Sequence, residues 1–423
     1  MKFIIVFFTI FLWATPMKKG DFALIHIYDD EQIEWANKFK MVVVGGVDDP
    51  RITSKLKKLH NIKLGYDWLA AFYFYTNGDN NDFVKTLYSN KEITTLNPNG
   101  PFLHCEKNGY NWCREYYYNF GNKDVRDKKV KFLIKNLKQK KFNGLFFDWA
   151  SGNFILEKDY KKVYKNFKKL NPTKNYFEMI GKFYSELKKK GIFFITNQAF
   201  RHHKYLLPFI QYDMTESYIT SLEYKKQRIM IENKGVVEKI GVTNYYPIDN
   251  KSLKATLKYI DLLTQYKQKY KKYGFKNFIY LNYLAPEYKK IYPIRPLYKE
   301  ITPKNGIYFA FAMAKLTDNI VYSEVTDNKI LEQNSIYFYN LGKAKNKSYL
   351  KLENGIYVRF YENGFVLVSD VFDKDKLLKI KINKPFYDVY NKKLIKNSII
   401  KLHYHTDSIT HKKVPLGRVF IYP

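Results

Sequence analysis

Two acidic residues stand where apolar runs stop. GLFFDW (144–149) leads through four residues into Asp148, and MTESYIT (214–220) carries Glu216. A carboxylate at the mouth of a buried strand is partly desolvated, and two facing ones can have separated pKa values. Glycoside cleavage needs such a pair, one carboxylate and one proton-donating acid flanking the bond. Taken singly, Asp148 also reads as a loop or helix cap, and Glu216 as partner to one of many lysines. Taken together, they favour chemistry. Other polar residues close neighbouring apolar runs: Tyr28 and Asp29, Asn197 and Gln198, Asn282 and Tyr283. Their amides and hydroxyls, with Tyr218 beside Glu216, suit hydrogen bonds to sugar hydroxyls, and Trp68, Trp112 and Trp149 suit stacking on sugar faces. The tryptophans read equally as rim packing and Asn197 as a turn residue. His202 and His203 form a local pair with no third ligand at metal spacing, so no metal is expected. Neither GxSxG, HExxH nor CxxC occurs, and no glycine-rich phosphate loop follows an apolar run. No cofactor is expected.

The elements that must position these residues alternate in type. Strands are predicted at 22–28, 41–46, within 64–75, and at 144–149, 191–198, 213–220, 275–284 and 319–324. Between them lie helical stretches. DVRDKKVKFLIKNLKQKK (124–141) spaces Val130, Leu133, Ile134 and Leu137 on one face, and 175–191 closes on Gly191 as a C-cap. Residues 50–59, 251–274 and 305–316 read as helices too. Eight apolar strands separated by helices imply a parallel (β/α)8 TIM barrel, since such strands need cover on both faces. A doubly wound open sheet is the rival, and it lacks its phosphate loop.

After about residue 330 the texture changes to short strands broken by turns, with ENGFVLV (362–368) a hairpin signal. The expected organisation is a leader at 1–20, a catalytic barrel at 21–328 and an antiparallel β-sandwich at 329–423.

The chain of 423 residues is 46% hydrophobic, which excludes disorder and collagen-like repeats. Its 73 Lys and Arg against 40 Asp and Glu leave +33. The basic residues are spread with no arm or tail, so a solvated basic surface outranks a nucleic-acid site. Lys2 followed by a short apolar run from Phe3 to Ala14 reads as a secretory signal peptide, too short to span a bilayer. The expectation is an exported protein, periplasmic or extracellular, without a stable membrane span once cleaved; an uncleaved anchor is the alternative. Secreted material should begin between about residues 15 and 21, and N-terminal sequencing that finds Met1 defeats this. Nothing in the sequence sets the oligomeric state, and a monomer is expected.

Cys105 and Cys113, the two cysteines present, lie in a loop-like stretch and are predicted to form a disulfide in an oxidising compartment. Closing so small a loop is worth about 2–3 kcal/mol on the chain-entropy picture. Two free thiols titrated in denatured, unreduced protein contradict the bridge.

The segment REYYYNFGNKDVRDKKVKFL, continued by FNGLFFD, resembles the Trp-Tyr-…-Asn-Pro-x-Val-Arg … Phe-Asp-Gly-Val-Phe-Leu-Asp run of glycoside-hydrolase-like barrels. These include glycoside hydrolase family 114, the endo-α-1,4-polygalactosaminidase type, and related glycosyl hydrolases. The strand ends ITNQ and MTESYIT match in order, so the resemblance covers roughly residues 21–325, and YVRFYENGFVLVS resembles a β-module that often follows. It implies that Asp148 takes the strand-4 carboxylate position and Glu216 the strand-6 one, with retaining chemistry. Asn143 and Asn119 depart from Asp in that pattern, which bears on substrate more than on the pair. The expected function is cleavage of a polysaccharide or oligosaccharide by an exported glycoside hydrolase. Its rival is a non-catalytic carbohydrate- or cell-surface-binding protein on a decayed barrel. Another barrel hydrolase, cutting an amide or ester, stands third.

Overall fold

The computed structural model describes residues 17–25, 30–47, 52–69, 71–73, 115–157, 160–231, 235–246, 252–290, 297–325, 335–380, 382 and 384–423. Residues 1–16 of the expected leader, Tyr28, Asp29, Cys105, Trp112, Cys113 and the boundary at 328/329 lie outside them, whereas residues 17–20 are described and Gly20 begins the first strand. Eight parallel strands pair in chain order: β1 Gly20–Leu24, β2 Phe39–Gly46, β3 Ile62–Trp68, β4 Gly144–Asp148, β5 Phe194–Asn197, β6 Tyr212–Glu216, β7 Asn277–Leu284 and β8 Ile320–Val325. Helices α1 Asp30–Asn37, α2 Thr53–Leu56, α3 Lys123–Lys140, α4 Lys161–Leu170, α5 Tyr176–Lys189, α6 His203–Leu206, α7 Leu253–Tyr270 and α8 Lys304–Leu316 run between them. The result is the expected TIM barrel, nearly closed. At the seam β8 lies beside β1. There the Ser323 N–H donates to the Tyr337 hydroxyl at 3.2 Å, and Trp35 Nε1–H donates to the Tyr322 hydroxyl at 3.2 Å. Aromatic side chains thus fill the gap between the first and last strands.

Local chemistry sets the helix ends. The Asn122 and Asn175 side chains accept backbone N–H groups at the starts of α3 and α5, and Lys141 and Gly191 leave the two helices in left-handed conformations. Val130, Leu133 and Leu137 of α3 are buried as their spacing requires, while Ile134 is half-buried.

Two features go beyond the sequence reading. The first is β6, which stops at Glu216 rather than continuing to residue 220, because Ser217 turns left-handed (φ 61°). The second is a four-stranded sheet grown from the C-terminal ends of the barrel strands. Ser221–Ile231 pairs with Gly235–Asn244 after β6, and Leu297–Ile301 with Glu287–Lys290 after β7. Among the described residues no helix is long and apolar enough to cross a membrane.

The C-terminal region is antiparallel, as expected. Its main sheet contains β9 Leu350–Lys351, β10 Ile356–Tyr361, β11 Gly364–Ser369, β12 Phe386–Asp388, β13 Lys393–Ile395 and β14 Leu416–Ile421, in the order β9-β10-β11-β14-β12-β13. Tyr361 pairs with Gly364 across the Glu362–Asn363 turn, where the hairpin signal lies. Strand β11 is buried along its whole length because both faces are covered. Phe365 and Leu367 enter the module's own core, and Val366 and Val368 join the barrel's. Between barrel and module lies α8, which is buried nearly all round, as a helix with two apolar neighbours must be. The close approach needs Gly417: a Cβ there would sit 2.4 Å from the Tyr308 carbonyl oxygen.

Candidate active site

Register places the candidate residues on one layer. Parallel partners point to the same side of a sheet, and side chains on one strand alternate. Trp68 pairs with Asp148, Asn197 with Met214, Leu281 with Glu216 and Tyr283 with Glu324. Tyr66, Asp148, Asn197, Glu216 and Tyr283 accordingly converge at the C-terminal mouth of the barrel, where barrel active sites are built.

Their hydrogen bonds form one chain. Asn197 Nδ2 donates to Asp148 Oδ1 at 2.9 Å and to Glu216 Oε2 at 2.8 Å. The Tyr66 hydroxyl donates to Asp148 Oδ2 at 2.5 Å, the Trp149 N–H to Asp148 Oδ1 at 2.8 Å, and the Tyr283 hydroxyl to Glu216 Oε1 at 2.8 Å. The two oxygens that share one amide nitrogen cannot be farther apart than both bonds laid end to end, about 5.7 Å. Burial, followed by the charges of Asp148 and Glu216 respectively, raises the Tyr66 and Tyr283 phenols far above their usual range. Both remain O–H donors at any working pH.

The residue after each of three site strands is left-handed without being glycine: Trp149 (φ 52°), Gln198 (φ 62°) and Ser217 (φ 61°). Each such turn costs about 1–2 kcal/mol. The turns end the strands abruptly, so the carboxylates and the amide stay at the rim instead of being carried along a continuing strand. Strain concentrated at one layer is characteristic of functional sites. Asp213, at the outer side of β6, clamps one of these turns. It accepts from Thr196 Oγ1 at 2.7 Å and from the N–H groups of Ala199 and Phe200 at 3.0 and 2.8 Å. Burial pushes its carboxyl up to about 7, against the pull of those hydrogen bonds.

At the carboxylates lies a cavity of about 280 Å³, lined by Asp148, Glu216, Trp149, Phe154, Tyr160 and Arg201 among others. Trp149 packs at a tilt against Trp68 (ring centroids 5.1 Å apart) and Phe154 (5.0 Å), and Tyr160 meets it edge-on. An aromatic wall beside a carboxylate pair is a surface on which a sugar ring can lie.

No family profile matches the chain, and no curated protein matches it in sequence. Solved structures match it at low identity. It is similar to the glycoside hydrolase domain of PelA from Pseudomonas aeruginosa at 13% identity and TM-score 0.42, over 74% of this chain and 97% of that one. Aspergillus fumigatus Ega3 in complex with galactosamine matches at 8% identity and TM-score 0.37, over 74% and 93%. The α-amylase of Geobacillus thermoleovorans complexed with acarbose matches at 10% identity and TM-score 0.47, over 95% and 98%.

Several expected site residues sit apart from the layer. Asn282 is fully buried, its Oδ1 accepting the Thr220 N–H at 3.2 Å, so its amide holds the loop after Glu216 and does not line the cavity. Tyr218 stacks on Tyr259 at 4.4 Å and accepts from Arg201 at 2.9 Å. His202 stacks on Phe177 and meets Asn153 Oδ1 at 3.2 Å, and burial lowers its pKa to about 4, so it is neutral. His203 stacks on Tyr266, and its Nδ1 lies 2.7 Å from the Tyr270 hydroxyl. The two departures from the resembled pattern are local fastenings. Asn143 Oδ1 accepts the Lys63 N–H at the far end of β4, and Asn119 Oδ1 accepts from Gly121 and Asn171. Neither lines the cavity.

Tyr66, Arg201 and Glu324 were outside the sequence reading. For Tyr66 a signal exists: in LGYDW it shares the parity of Trp68, which places its hydroxyl on the face of β3 that meets Asp148. Arg201 carries no such signal, being set by the turn at Gln198.

Proposed function

We propose that this chain is a glycoside hydrolase that cleaves a polysaccharide or oligosaccharide with retention, Asp148 serving as nucleophile and Glu216 as general acid/base. The observation that carries the reading is the single Asn197 amide bridging both carboxyl groups. It holds the nearest oxygens within about 5.7 Å, close to the ~5–5.5 Å of retaining pairs and short of the ~6.5–9.5 Å that leaves room for an inverting water. In the first displacement an Asp148 oxygen bonds to the anomeric carbon while the Glu216 proton passes to the departing oxygen. In the second, Glu216 takes a proton from water, the water oxygen bonds to the anomeric carbon, and Asp148 is released. Tyr66, Asn197 and Trp149 N–H orient the nucleophile, and Trp149, Phe154 and Tyr160 support the sugar ring. On this proposal the protein is exported and its substrate lies outside the cytoplasm.

A hydrolysis screen over neutral, acidic and amino polysaccharides, with reducing-end detection, tests this. New reducing ends that vanish in Asp148→Asn are expected. Binding that survives both Asp148→Asn and Glu216→Gln, with no turnover by the native chain, would establish a binding protein instead.

A further inference from the structure

Among the described residues, the charged side chains that line the cavity are Asp148, Glu157, Glu216 and Arg201. A freely moving arginine beside three carboxyls would pair with one of them. Arg201 forms an ion pair with none. Its anchorage gives the reason. Arg201 Nη2 donates to the Tyr218 hydroxyl at 2.9 Å, the one hydrogen bond of the guanidinium among the described residues. Tyr218 in turn lies flat on Tyr259, with ring centroids 4.4 Å apart and 9° between the planes, and Phe200 meets both rings edge-on at 5.8 Å. The backbone is fastened as well. The Arg201 N–H donates to the Gln198 carbonyl at 3.2 Å, and Asp213 holds the N–H groups of Ala199 and Phe200. Arg201 is thus fixed at both ends while its side of the cavity stays exposed.

Resting on the hydrolase reading, we propose that Arg201 determines specificity and that the substrate is an acidic glycan, whose oxyanion the guanidinium binds. That oxyanion is a uronate carboxylate or a sulfate ester. A guanidinium presents its remaining donors as a planar fork that matches two oxygens of such a group. The three carboxyls do not make the cavity a site for an amino sugar. Asp148 and Glu216 already accept from Tyr66, Asn197, Trp149 and Tyr283 and are committed to the reaction. Glu157, in the loop after β4, is exposed, and its carboxylate has no partner among the described residues. A charge held in place loses no side-chain freedom on binding, whereas an unheld one does. Arg201 is the held one. The Asp148 charge disfavours an anionic substituent beside the scissile bond, so Arg201 also sets which way the sugar lies. The +33 charge of the chain draws a polyanion to the protein before any contact is made.

The test measures binding and turnover separately on the full chain at about 0.15 M salt, where long-range attraction is screened. The probes are short oligosaccharides of galacturonate, sulfated galactose, neutral galactose and glucosamine. Calorimetry uses Glu216→Gln, which keeps the Asp148 charge and lacks the acid that natural linkages need. An acidic probe should bind more tightly than the neutral and amino ones. Preference for galacturonate identifies a carboxylate as the natural group, and preference for sulfated galactose an ester. Adding Arg201→Gln should weaken acidic binding roughly ten- to a hundredfold and leave neutral binding within about twofold. Arg201→Lys should recover only part of the loss, whereas attraction to a basic surface alone predicts full recovery. Tyr218→Phe keeps the ring stacking and frees the guanidinium, so it should lower the acidic-to-neutral ratio several-fold. Acidic probes that bind no better than neutral or amino ones, or that bind Arg201→Gln unchanged, overturn the proposal. New reducing ends from neutral or amino glycans alone would then leave the hydrolase reading standing. Acidic binding that depends on Arg201, in a native chain that cleaves nothing, keeps the anion site and removes the hydrolase reading alone.

Discussion

Asp148→Asn should abolish turnover of every glycan the native chain cleaves, while Glu216→Gln should spare substrates with good leaving groups. The asymmetry follows from the two roles. A carboxamide at 148 supplies neither a nucleophile nor a negative charge for the oxocarbenium-like transition state. At 216 the change removes proton transfer, worth ~10²–10⁴-fold, and an activated aryl glycoside needs little of it in the first step. Small anions such as azide should partly restore turnover of activated substrates by Glu216→Gln, because they need no base to attack. Turnover at native rates in both variants sinks the assignment. Equal loss on all substrates in both variants would refute the division of roles while leaving the pair intact.

The second large effect lies behind the site. Lys129 of α3 is almost fully buried, its Nζ 2.9 Å from Asp67 Oδ1 and 4.1 Å from the centre of the Tyr118 ring. Asp67 sits between Tyr66 and Trp68, pointing to the opposite face of β3. Lys129→Ala takes that ammonium from a carboxylate already out of water, which costs about 3–5 kcal/mol when a buried pair is broken. Domains of this kind have about 5–15 kcal/mol in total, so the midpoint in urea should fall steeply. The double variant Lys129→Met, Asp67→Leu should recover most of the loss, because neither charge then needs solvation. A single variant within about 1 kcal/mol of native stability would show the pair to be dispensable.

The hydrogen-bonded layer at the mouth was partly legible in the sequence. Asp148 and Glu216 could be singled out because an acidic residue ending GLFF or following DMT has no place in a buried strand unless the strand stops there. Asn197 and Tyr283 were visible for the same reason. The bridge between them was not. That one amide would meet both carboxylates depends on the registers of β4 against β5 and of β5 against β6, which no local pattern encodes. Asn282 shows the converse. It stands next to Tyr283 at the same strand end, and parity turns it away from the cavity to hold Thr220.

The barrel itself is written in periodicity: apolar strands and amphipathic helices alternate, and the strands' lack of a polar face demands cover on both sides. The antiparallel C-terminal sheet is equally written in short strands and an Asn-Gly turn. Local patterns such as these act over a few residues and are present before folding. Three outcomes needed the tertiary structure. The left-handed turns at Trp149, Gln198 and Ser217 occupy positions where a propensity reading would not place them, because packing imposes the conformation and bears its cost. The sheet of Ser221–Ile231, Gly235–Asn244, Glu287–Lys290 and Leu297–Ile301 joins segments more than forty residues apart, and only the adjacency of β6 and β7 brings them together. Glu324 lies one residue before the end of the last strand of the barrel, distant in sequence from Glu216, and the pairing of both strands with β7 is what relates the two.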